Sequence, residues 1–237
     1  MINEVIILAG GLGTRLQGVV SNIPKPMAPI AGKPFLDYLF YYLRQFPIKK
    51  VILAVGYKYE VIEAAFGNHY LGMDIEYAIE KEPLGTGGAI INAFRQTCCD
   101  DLFLINGDTF FNVDLEALSN QHQTTNAQLT LSLKELQDFD RYGTVTLNGS
   151  RVTSFNEKQP MKNGLINGGV YALNRSLFEN PELPAKFSFE KDVMEKQVSL
   201  INMQAYISDG YFIDIGIPED YARGQQELPN IFEIIKI

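Results

Sequence analysis

The sequence predicts an α/β fold in which a mixed, mostly parallel central sheet is flanked by helices and carries an antiparallel extension. Short apolar runs alternate with helical patterns over residues 1–125, and shorter strand-like runs separated by turn residues follow over 126–237. A chain of 237 residues with 46% hydrophobic content can bury one large core. Because no linker, charge block or internal repeat divides the chain, we expect one domain over 1–237.

The first half contains the elements of a parallel sheet. A run of β-branched residues at 5–9 ends at Gly10, and its continuous apolar character predicts a strand buried on both faces. Apolar residues then recur at helical spacing behind Pro34, a residue type favoured at helix starts. Further strands are expected at 51–55, 102–105 and 129–133, and helices at 35–46, 60–66 and 88–95.

The second half predicts the antiparallel extension. Turn residues such as Asn148-Gly149 separate its short strand-like runs, and the helix expected at 218–227 begins with proline and acidic residues. The apolar tail at 231–237 suits either packing on the chain's own core or an interface in a homodimer. The strands are expected at 142–147, 152–157 and 168–173, and a first helix at 189–197.

Charge and cysteine content limit the partners and the compartment. With 20 Lys+Arg against 28 Asp+Glu, the net charge of −8 disfavours nucleic acid as a partner. Cys98 and Cys99 are adjacent, about 3.8 Å apart at Cα, which is too close for a normal disulfide and fits a reducing compartment. No apolar run is long enough for a membrane helix or a signal peptide, so we expect a soluble cytoplasmic protein.

A glycine-rich loop follows the first predicted strand and runs Leu8-Ala9-Gly10-Gly11-Leu12-Gly13-Thr14-Arg15. Its glycines allow the backbone amides to approach an anion closely. The dinucleotide fingerprint G-x-G-x-x-G fails because Leu16 stands at the third glycine position, which disfavours a dehydrogenase. The Walker loop fails because no Lys-Ser or Lys-Thr pair follows these glycines.

The same loop is followed, ten residues after Arg15, by Lys25-Pro26. This pattern resembles the signature of the sugar-1-phosphate nucleotidyltransferases, which make nucleotide sugars from a nucleoside triphosphate and a sugar 1-phosphate. The resemblance implies a single Rossmann-like nucleotidyltransferase domain that binds nucleotide through 1–125 and sugar phosphate through 126–237. It implies catalytic roles for Arg15 at the departing pyrophosphate and for Lys25 at the α-phosphate. The phosphate loop would comprise Leu8, Ala9, Gly10, Gly11, Gly13 and Thr14.

A second glycine motif at residues 82–89 looks like the family segment that lies against the base and ribose. The glycines at 87 and 88 would leave room for a planar base, and a carboxylate at Glu80 or Glu82 would suit the N–H donors of guanine. A plain helix start capped by Thr86 is the other interpretation, and both can hold together. The implied nucleotide-binding residues are Glu80, Pro83, Gly85, Thr86, Gly88 and Asn106.

Two aspartates match the family's magnesium ligands. Asp108 follows a strand at its carboxyl end, where ligands bind in open α/β sheets, and Asp214 lies in the run 212–216. Mg²⁺ normally accepts one or two carboxylates together with substrate phosphates. The family's sugar-phosphate pocket is matched by Gly107, Glu157, Lys158, Asn167 and Gly168. Without the resemblance, the aspartates would be interpreted as turn or cap residues, and Glu157-Lys158 as a solvated pair.

The runs at 80–90 and 106–111 are most similar to family members that act on a D-glycero-α-D-manno-heptose 1-phosphate with GTP. We therefore expect GTP and this sugar 1-phosphate as substrates. Other nucleoside triphosphates, and the 1-phosphates of mannose, glucose or N-acetylmuramic acid, remain alternatives. A catalytically inactive protein that binds nucleotide sugars is less expected, because the charged residues such a protein usually loses are all present: Arg15, Lys25, Asp108, Lys158 and Asp214.

Overall fold

A ten-stranded mixed sheet forms the centre of the computed structural model, which describes residues 1–11, 23–179 and 183–234. In chain order the strands are β1 (Glu4–Leu8), β2 (Pro29–Ile30), β3 (Lys33–Pro34), β4 (Lys50–Val55), β5 (His69–Tyr70), β6 (Met73–Ile79), β7 (Asp101–Asn106), β8 (Thr109–Phe111), β9 (Leu129–Phe139), β10 (Val145–Asn148), β11 (Arg151–Phe155), β12 (Met161–Asn174), β13 (Met203–Ser208) and β14 (Phe212–Asp214). The α-helices are α1 (Phe35–Leu43), α2 (Tyr59–Phe66), α3 (Gly85–Phe94), α4 (Leu115–Thr124) and α5 (Pro218–Ile234). Shorter helical segments are Lys25–Met27, Arg175–Phe178 and the π-helical Phe189–Glu195. Within the described ranges, no helix has both the length and the apolar character needed to cross a membrane.

The large sheet has the strand order β10-β11-β13-β9-β12-β7-β1-β4-β6-β5. Its strands run in the direction of β1 except β5, β11 and β12, which run the opposite way. This confirms the predicted mixed, mostly parallel sheet. Because β12 of the second half pairs antiparallel with β7 of the first, one continuous sheet joins the two halves of the chain.

Helices cover the sheet on both faces, and the pleat of the strands explains why their sequences are continuously apolar. Side chains alternate between the faces of a strand, so Val5 and Ile7 pack in one core cluster with α1, while Ile6 packs in the other with α3. In the parallel register, Leu8 lies beside both Ala54 and Asn106. The carboxyl ends of β1, β4 and β7 therefore meet at one edge of the sheet.

Several elements differ from their predicted bounds: α5 continues to Ile234 and β9 to Phe139, whereas ends at 227 and 133 were expected. Strand β12 begins at Met161 rather than 168, because residues 161–167 pair with the end of β9 although they carry little apolar signal. Helix α3 begins at Gly85, three residues before the predicted start. The segment expected as an amphipathic helix at 189–197 forms a π-helical turn over Phe189–Glu195, whose wider turn changes which side chains share a face.

The end of α5 packs on the chain's own core. The ring of Phe232 lies edge-on against Tyr38 and Phe110, with centroid distances of 5.2 and 5.3 Å, and the residue is only 8% exposed. This part of the apolar tail is therefore buried within the chain, and residues 235–237 lie outside the described ranges. The homodimer stays a prediction.

A buried hydrogen bond ties α1 to the segment before α4 and provides a test of the packing. The hydroxyl of Tyr42 donates to the carbonyl oxygen of Val113 at 2.7 Å. Tyr42→Phe leaves that buried carbonyl unpaired, so we expect a loss of about 1–3 kcal/mol in the free energy of unfolding, measured by urea titration. The control is Tyr41→Phe, which removes only a 3.5 Å surface contact with Lys33. Equal stabilities of the two variants would contradict the packing described.

Candidate active site

A cavity of about 750 Å³ opens at the carboxyl ends of β1, β4, β6 and β7. Most of the residues predicted to act in catalysis or to bind nucleotide or metal line it, although they come from four separate segments of the chain. Those predicted residues are Leu8, Gly10, Gly11, Lys25, Glu80, Pro83, Gly85, Thr86, Asn106 and Asp108, and Gly107, predicted for the sugar-phosphate pocket, lines the cavity too. The cavity is also lined by residues that were not predicted: Pro26, Ala54, Gly56, Tyr57, Lys81, Ala89 and Glu190.

The shortest polar contact in this cavity joins the predicted catalytic lysine to the first predicted metal ligand. Lys25 begins the short helical turn Lys25–Met27, and its Nζ lies 2.5 Å from Oδ2 of Asp108. The lysine side chain is 13% exposed and the aspartate side chain 37% exposed. A partly desolvated ion pair of this kind is screened less by solvent than a surface pair. It holds the Lys25 ammonium at the edge of the cavity.

A two-stranded ribbon brings the second aspartate beside this pair. Strands β8 and β14 pair antiparallel so that Asp214 lies opposite Thr109, and the backbone amide of Ile215 donates to the carbonyl oxygen of Asp108 at 3.0 Å. A Cβ atom on Gly216 would lie 2.8 Å from Oδ1 of Asp214 and 3.0 Å from Nζ of Lys25. Because Gly216 has no side chain, the Asp214 carboxylate and the Lys25 ammonium both have room beside it.

The two carboxylates act on each other. Burial raises the pKa of the Asp214 carboxyl, and the charge of Asp108 raises it further. Lys25 and a 2.7 Å hydrogen bond from the Gly216 amide act in the opposite direction. Two carboxylates so placed would gain from a cation between them, and the Lys25 ammonium is the cation that contacts Asp108 here.

The donor set is compatible with a metal that takes most of its ligands from substrate. In the part of the chain that the structure describes, no cluster of three or more histidine, cysteine or acidic side chains could hold a metal by itself. Mg²⁺ accepts one or two carboxylates and completes its shell with water and phosphate oxygens. Asp108 and Asp214 fit that requirement.

Glu80 is another acidic residue that lines the cavity. Glu80 follows β6, and its Oε2 accepts a hydrogen bond from the backbone amide of Leu84 at 2.9 Å. Its Oε1 points toward Gly10, where a Cβ atom would lie 2.9 Å away. Burial raises the pKa of the Glu80 carboxyl. Of the two acids considered for base recognition, Glu80 lines the cavity, whereas Glu82 is exposed and does not.

The start of α3 differs from both interpretations of its motif. The helix is capped by Leu84 without a side-chain hydrogen bond, so the interpretation of Thr86 as a cap is wrong. A Cβ atom on Gly87 would overlap the ring of Phe187, and one on Gly88 would lie 2.6 Å from the carbonyl oxygen of Ala185. The glycine pair therefore makes room for a neighbouring segment, and Gly88 does not line the cavity.

The hydroxyl of Thr86 instead contacts a residue more than a hundred positions away. It donates to Oε2 of Glu190 at 2.7 Å and accepts from the backbone amide of Phe189 at 2.8 Å. The sequence predicts a helix over 189–197 and assigns Glu190 no role in the site. The sequence shows that Glu190 follows a phenylalanine, but no local pattern indicates that Glu190 lies beside α3.

The predicted sugar-phosphate residues divide into two groups. Nδ2 of Asn167 donates to the Tyr171 hydroxyl at 2.7 Å, and its Oδ1 accepts from the Gly169 amide at 3.1 Å, while Gly168 packs on the ring of Phe111. Glu157 and Lys158 are exposed in the connection between β11 and β12 and do not line the cavity.

That exposed connection begins close to the strand that carries Asn167. Asn156 donates through Nδ2 to the hydroxyl of Thr144 at 3.0 Å, and Thr144 pairs with Ile166.

Among the remaining predicted residues, Ala9 is buried and donates its amide to the carbonyl oxygen of Ala54. Gly13, Thr14 and Arg15 lie outside the described residues.

Comparison with known proteins agrees with this geometry. Residues 4–230 match the family described as nucleotidyl transferase. The chain is 55% identical to the D-glycero-alpha-D-manno-heptose 1-phosphate guanylyltransferase of Aneurinibacillus thermoaerophilus, covering 95% of this chain and 98% of the relative. It is 51% identical to the enzyme of the same name from Campylobacter jejuni, covering 92% and 96%.

A solved structure has the same fold. The crystal structure of HddC from Yersinia pseudotuberculosis complexed with GMP-PN superposes with a TM-score of 0.84 at 37% identity. The match covers 95% of this chain and 99% of the other.

The raised pKa of the Glu80 carboxyl predicts how stability depends on pH. The Glu80 carboxyl holds its proton more tightly in the folded chain than in the unfolded chain, where its pKa has the ordinary value of 4.5. Raising the pH from roughly 4 to 7 should therefore destabilise the wild type relative to Glu80→Gln, which carries no such proton. Urea unfolding at several pH values measures this difference. Glu82→Gln is the control, and a pH-independent difference for Glu80→Gln would contradict the account.

Proposed function

Because the chain belongs to the nucleotidyl transferase family, we propose that it transfers GMP from GTP to D-glycero-α-D-manno-heptose 1-phosphate, releasing pyrophosphate. The observation that carries this proposal is the meeting of Lys25, Asp108 and Asp214 beside one cavity. The high identity to two heptose 1-phosphate guanylyltransferases, over almost their full lengths, supports this choice of substrates.

The reaction is an in-line attack by an oxygen of the sugar phosphate on the α-phosphorus of GTP, with pyrophosphate leaving. The attacking oxygen is already ionised near neutral pH, so no side chain needs to remove a proton. The barrier arises from repulsion between two anions and from charge that develops on the leaving group, and positioning and preorganised positive charge lower it. A site with an ammonium at its edge and no nucleophilic side chain assigned to it suits this chemistry.

Lys25 would act at the α-phosphate. Its ammonium lies at the cavity edge and is only partly solvated, which strengthens its attraction for a phosphate oxygen. On binding GTP, Lys25 would exchange its contact with Asp108 for one with the α-phosphate. Arg15 and the amides of Gly11, Gly13 and Thr14 would hold the β- and γ-phosphates. Leu8, Ala9 and Gly10 would shape the backbone beneath them.

Nucleotidyltransferases of this family generally use a divalent metal. We propose Mg²⁺ here, held by Asp108 and Asp214. When bound, the ion would supply positive charge that offsets the charge of the phosphate oxygens. The role of the chain is to keep the two carboxylates adjacent through the β8–β14 ribbon.

Guanine would lie against the wall formed by Glu80, Pro83 and Gly85. Oε1 of Glu80 points toward Gly10 of the same cavity and would accept hydrogen bonds from guanine N1–H and N2–H₂, donors that uracil and cytosine do not present in this arrangement. Asn106 and Thr86 would complete the nucleotide contacts, and Gly88 would act indirectly by letting α3 pack closely on its neighbour.

The sugar phosphate would lie toward β12. Asn167, Gly168 and Gly107 border this side of the sheet edge, and the exposed Glu157 and Lys158 would contact the sugar hydroxyls and phosphate. Residues 1–125 would thus bind mainly nucleotide and 126–237 mainly sugar phosphate.

Pyrophosphate release with Mg²⁺ tests the proposed function directly. Each of the four common nucleoside triphosphates and dTTP is paired with a panel of sugar 1-phosphates, and we expect turnover with GTP and the manno-heptose 1-phosphate. Turnover only with UTP or dTTP and a hexose 1-phosphate would contradict the proposal, as would no turnover with any pair.

The same assay tests the role of Glu80. Because Glu80→Gln removes a charged hydrogen-bond acceptor, we expect kcat/KM for GTP to fall about ten- to a hundred-fold. Glu82→Gln, which changes an exposed acid outside the cavity, should leave kcat/KM unchanged. If both variants kept the wild-type preference for GTP, another group would select the base.

A further inference from the structure

Glu190 is an acidic residue of the cavity that none of the roles above uses. It lies in the π-helical turn Phe189–Glu195, which Ser188 begins by accepting a hydrogen bond from the backbone amide of Lys191. Phe189 is fully buried, with its ring edge-on to that of Tyr171 at a centroid distance of 5.5 Å. The turn is therefore anchored in the core immediately beside the carboxylate.

The carboxylate itself is held through one oxygen. Its Oε2 accepts hydrogen bonds from the Thr86 hydroxyl at 2.7 Å and from the Ser188 hydroxyl at 2.9 Å. No hydrogen bond to Oε1 comes from the residues that the structure describes. A side chain with one oxygen fixed loses little further conformational freedom when its other oxygen binds a ligand.

Glu190 lies beside the proposed base wall of the cavity. Thr86, to which Glu190 is bonded, directly follows Gly85 of the proposed base wall. The same cavity is also lined by Asp108, one of the two proposed metal ligands. Glu190 is thus bonded to the residue that follows the base wall, and it shares one cavity with a proposed metal ligand.

A carboxylate in a cavity for anions can contact only the parts of the ligand that offer hydrogen-bond donors. Phosphate groups would be repelled, whereas hydroxyl groups can donate to both lone pairs of a carboxylate oxygen. In a nucleotide, the ribose lies between the base and the α-phosphate and carries two adjacent hydroxyls. We propose that Oε1 of Glu190 accepts hydrogen bonds from the ribose hydroxyls and selects ribonucleotides over deoxyribonucleotides. This inference rests on the proposed function only in assuming that a nucleotide fills the cavity.

Calorimetric titration measures the affinity for GTP, 2′-deoxy-GTP and 3′-deoxy-GTP in the presence of Mg²⁺ and without sugar phosphate. We expect the wild type to bind GTP about ten-fold or more tightly than at least one deoxy analogue, since a charged hydrogen bond is lost. Glu190→Gln should reduce that ratio to near one. Ser188→Ala is the matched control, because it removes one bond to Oε2 and leaves Oε1 in place, so the ratio should persist.

Two results would overturn the inference. One is a wild type that binds all three nucleotides equally, which can be seen even if the Gln variant does not fold. The other is a Glu190→Gln variant that keeps the wild-type ratio of affinities for GTP and its deoxy analogues. A variant that keeps this ratio while only its KM for the sugar phosphate changes counts as the same result. Because all ribonucleotides share the ribose, UTP and 2′-deoxy-UTP are titrated in parallel. If UTP binds more tightly than 2′-deoxy-UTP while GTP shows no such preference, the assignment of GTP is contradicted and the role of Glu190 is still supported.

Discussion

The contact between the Lys25 ammonium and the Asp108 carboxylate, with Asp214 beside it, is the interaction on which the rest of the site depends. It requires three separate pieces of the fold to meet: the turn after the glycine loop, the end of β7 and the β8–β14 ribbon. Pro26 of the turn lies against Gly107 at the end of β7, which brings the first two together, and the ribbon adds the third. The sheet therefore serves as the support that concentrates charge at its carboxyl edge.

This concentration resolves an apparent conflict between the chain's charge and its ligands. A net charge of −8 would repel a polyanion at long range, but solvent and salt screen such effects beyond about 10 Å. Local geometry decides binding inside the cavity. There, two carboxylates are neutralised in part by one ammonium and would be neutralised further by a metal, while the third and fourth, Glu80 and Glu190, are each tied by hydrogen bonds to α3 or the segment before it.

Sequence reasoning predicted the parallel sheet and the residues at the ends of its strands, because buried strands and glycine motifs are local signals. It predicted that Lys25 and Asp108 belong to one site, since each lies in a family motif, and the two side chains are in contact. It did not predict the role of Glu190 or the packing at Gly87 and Gly88. These depend on α3 lying against residues 185–190, a contact between segments about a hundred residues apart that no local pattern records.

The kinetic constants of Lys25→Ala test the central claim most directly, with Lys33→Ala as a control at an exposed lysine on β3. If Lys25 stabilises charge at the α-phosphate, kcat should fall about a hundred- to a thousand-fold while the KM for GTP changes far less. The control should keep both constants near the wild-type values. A Lys25→Ala enzyme with near-wild-type kcat would contradict the account.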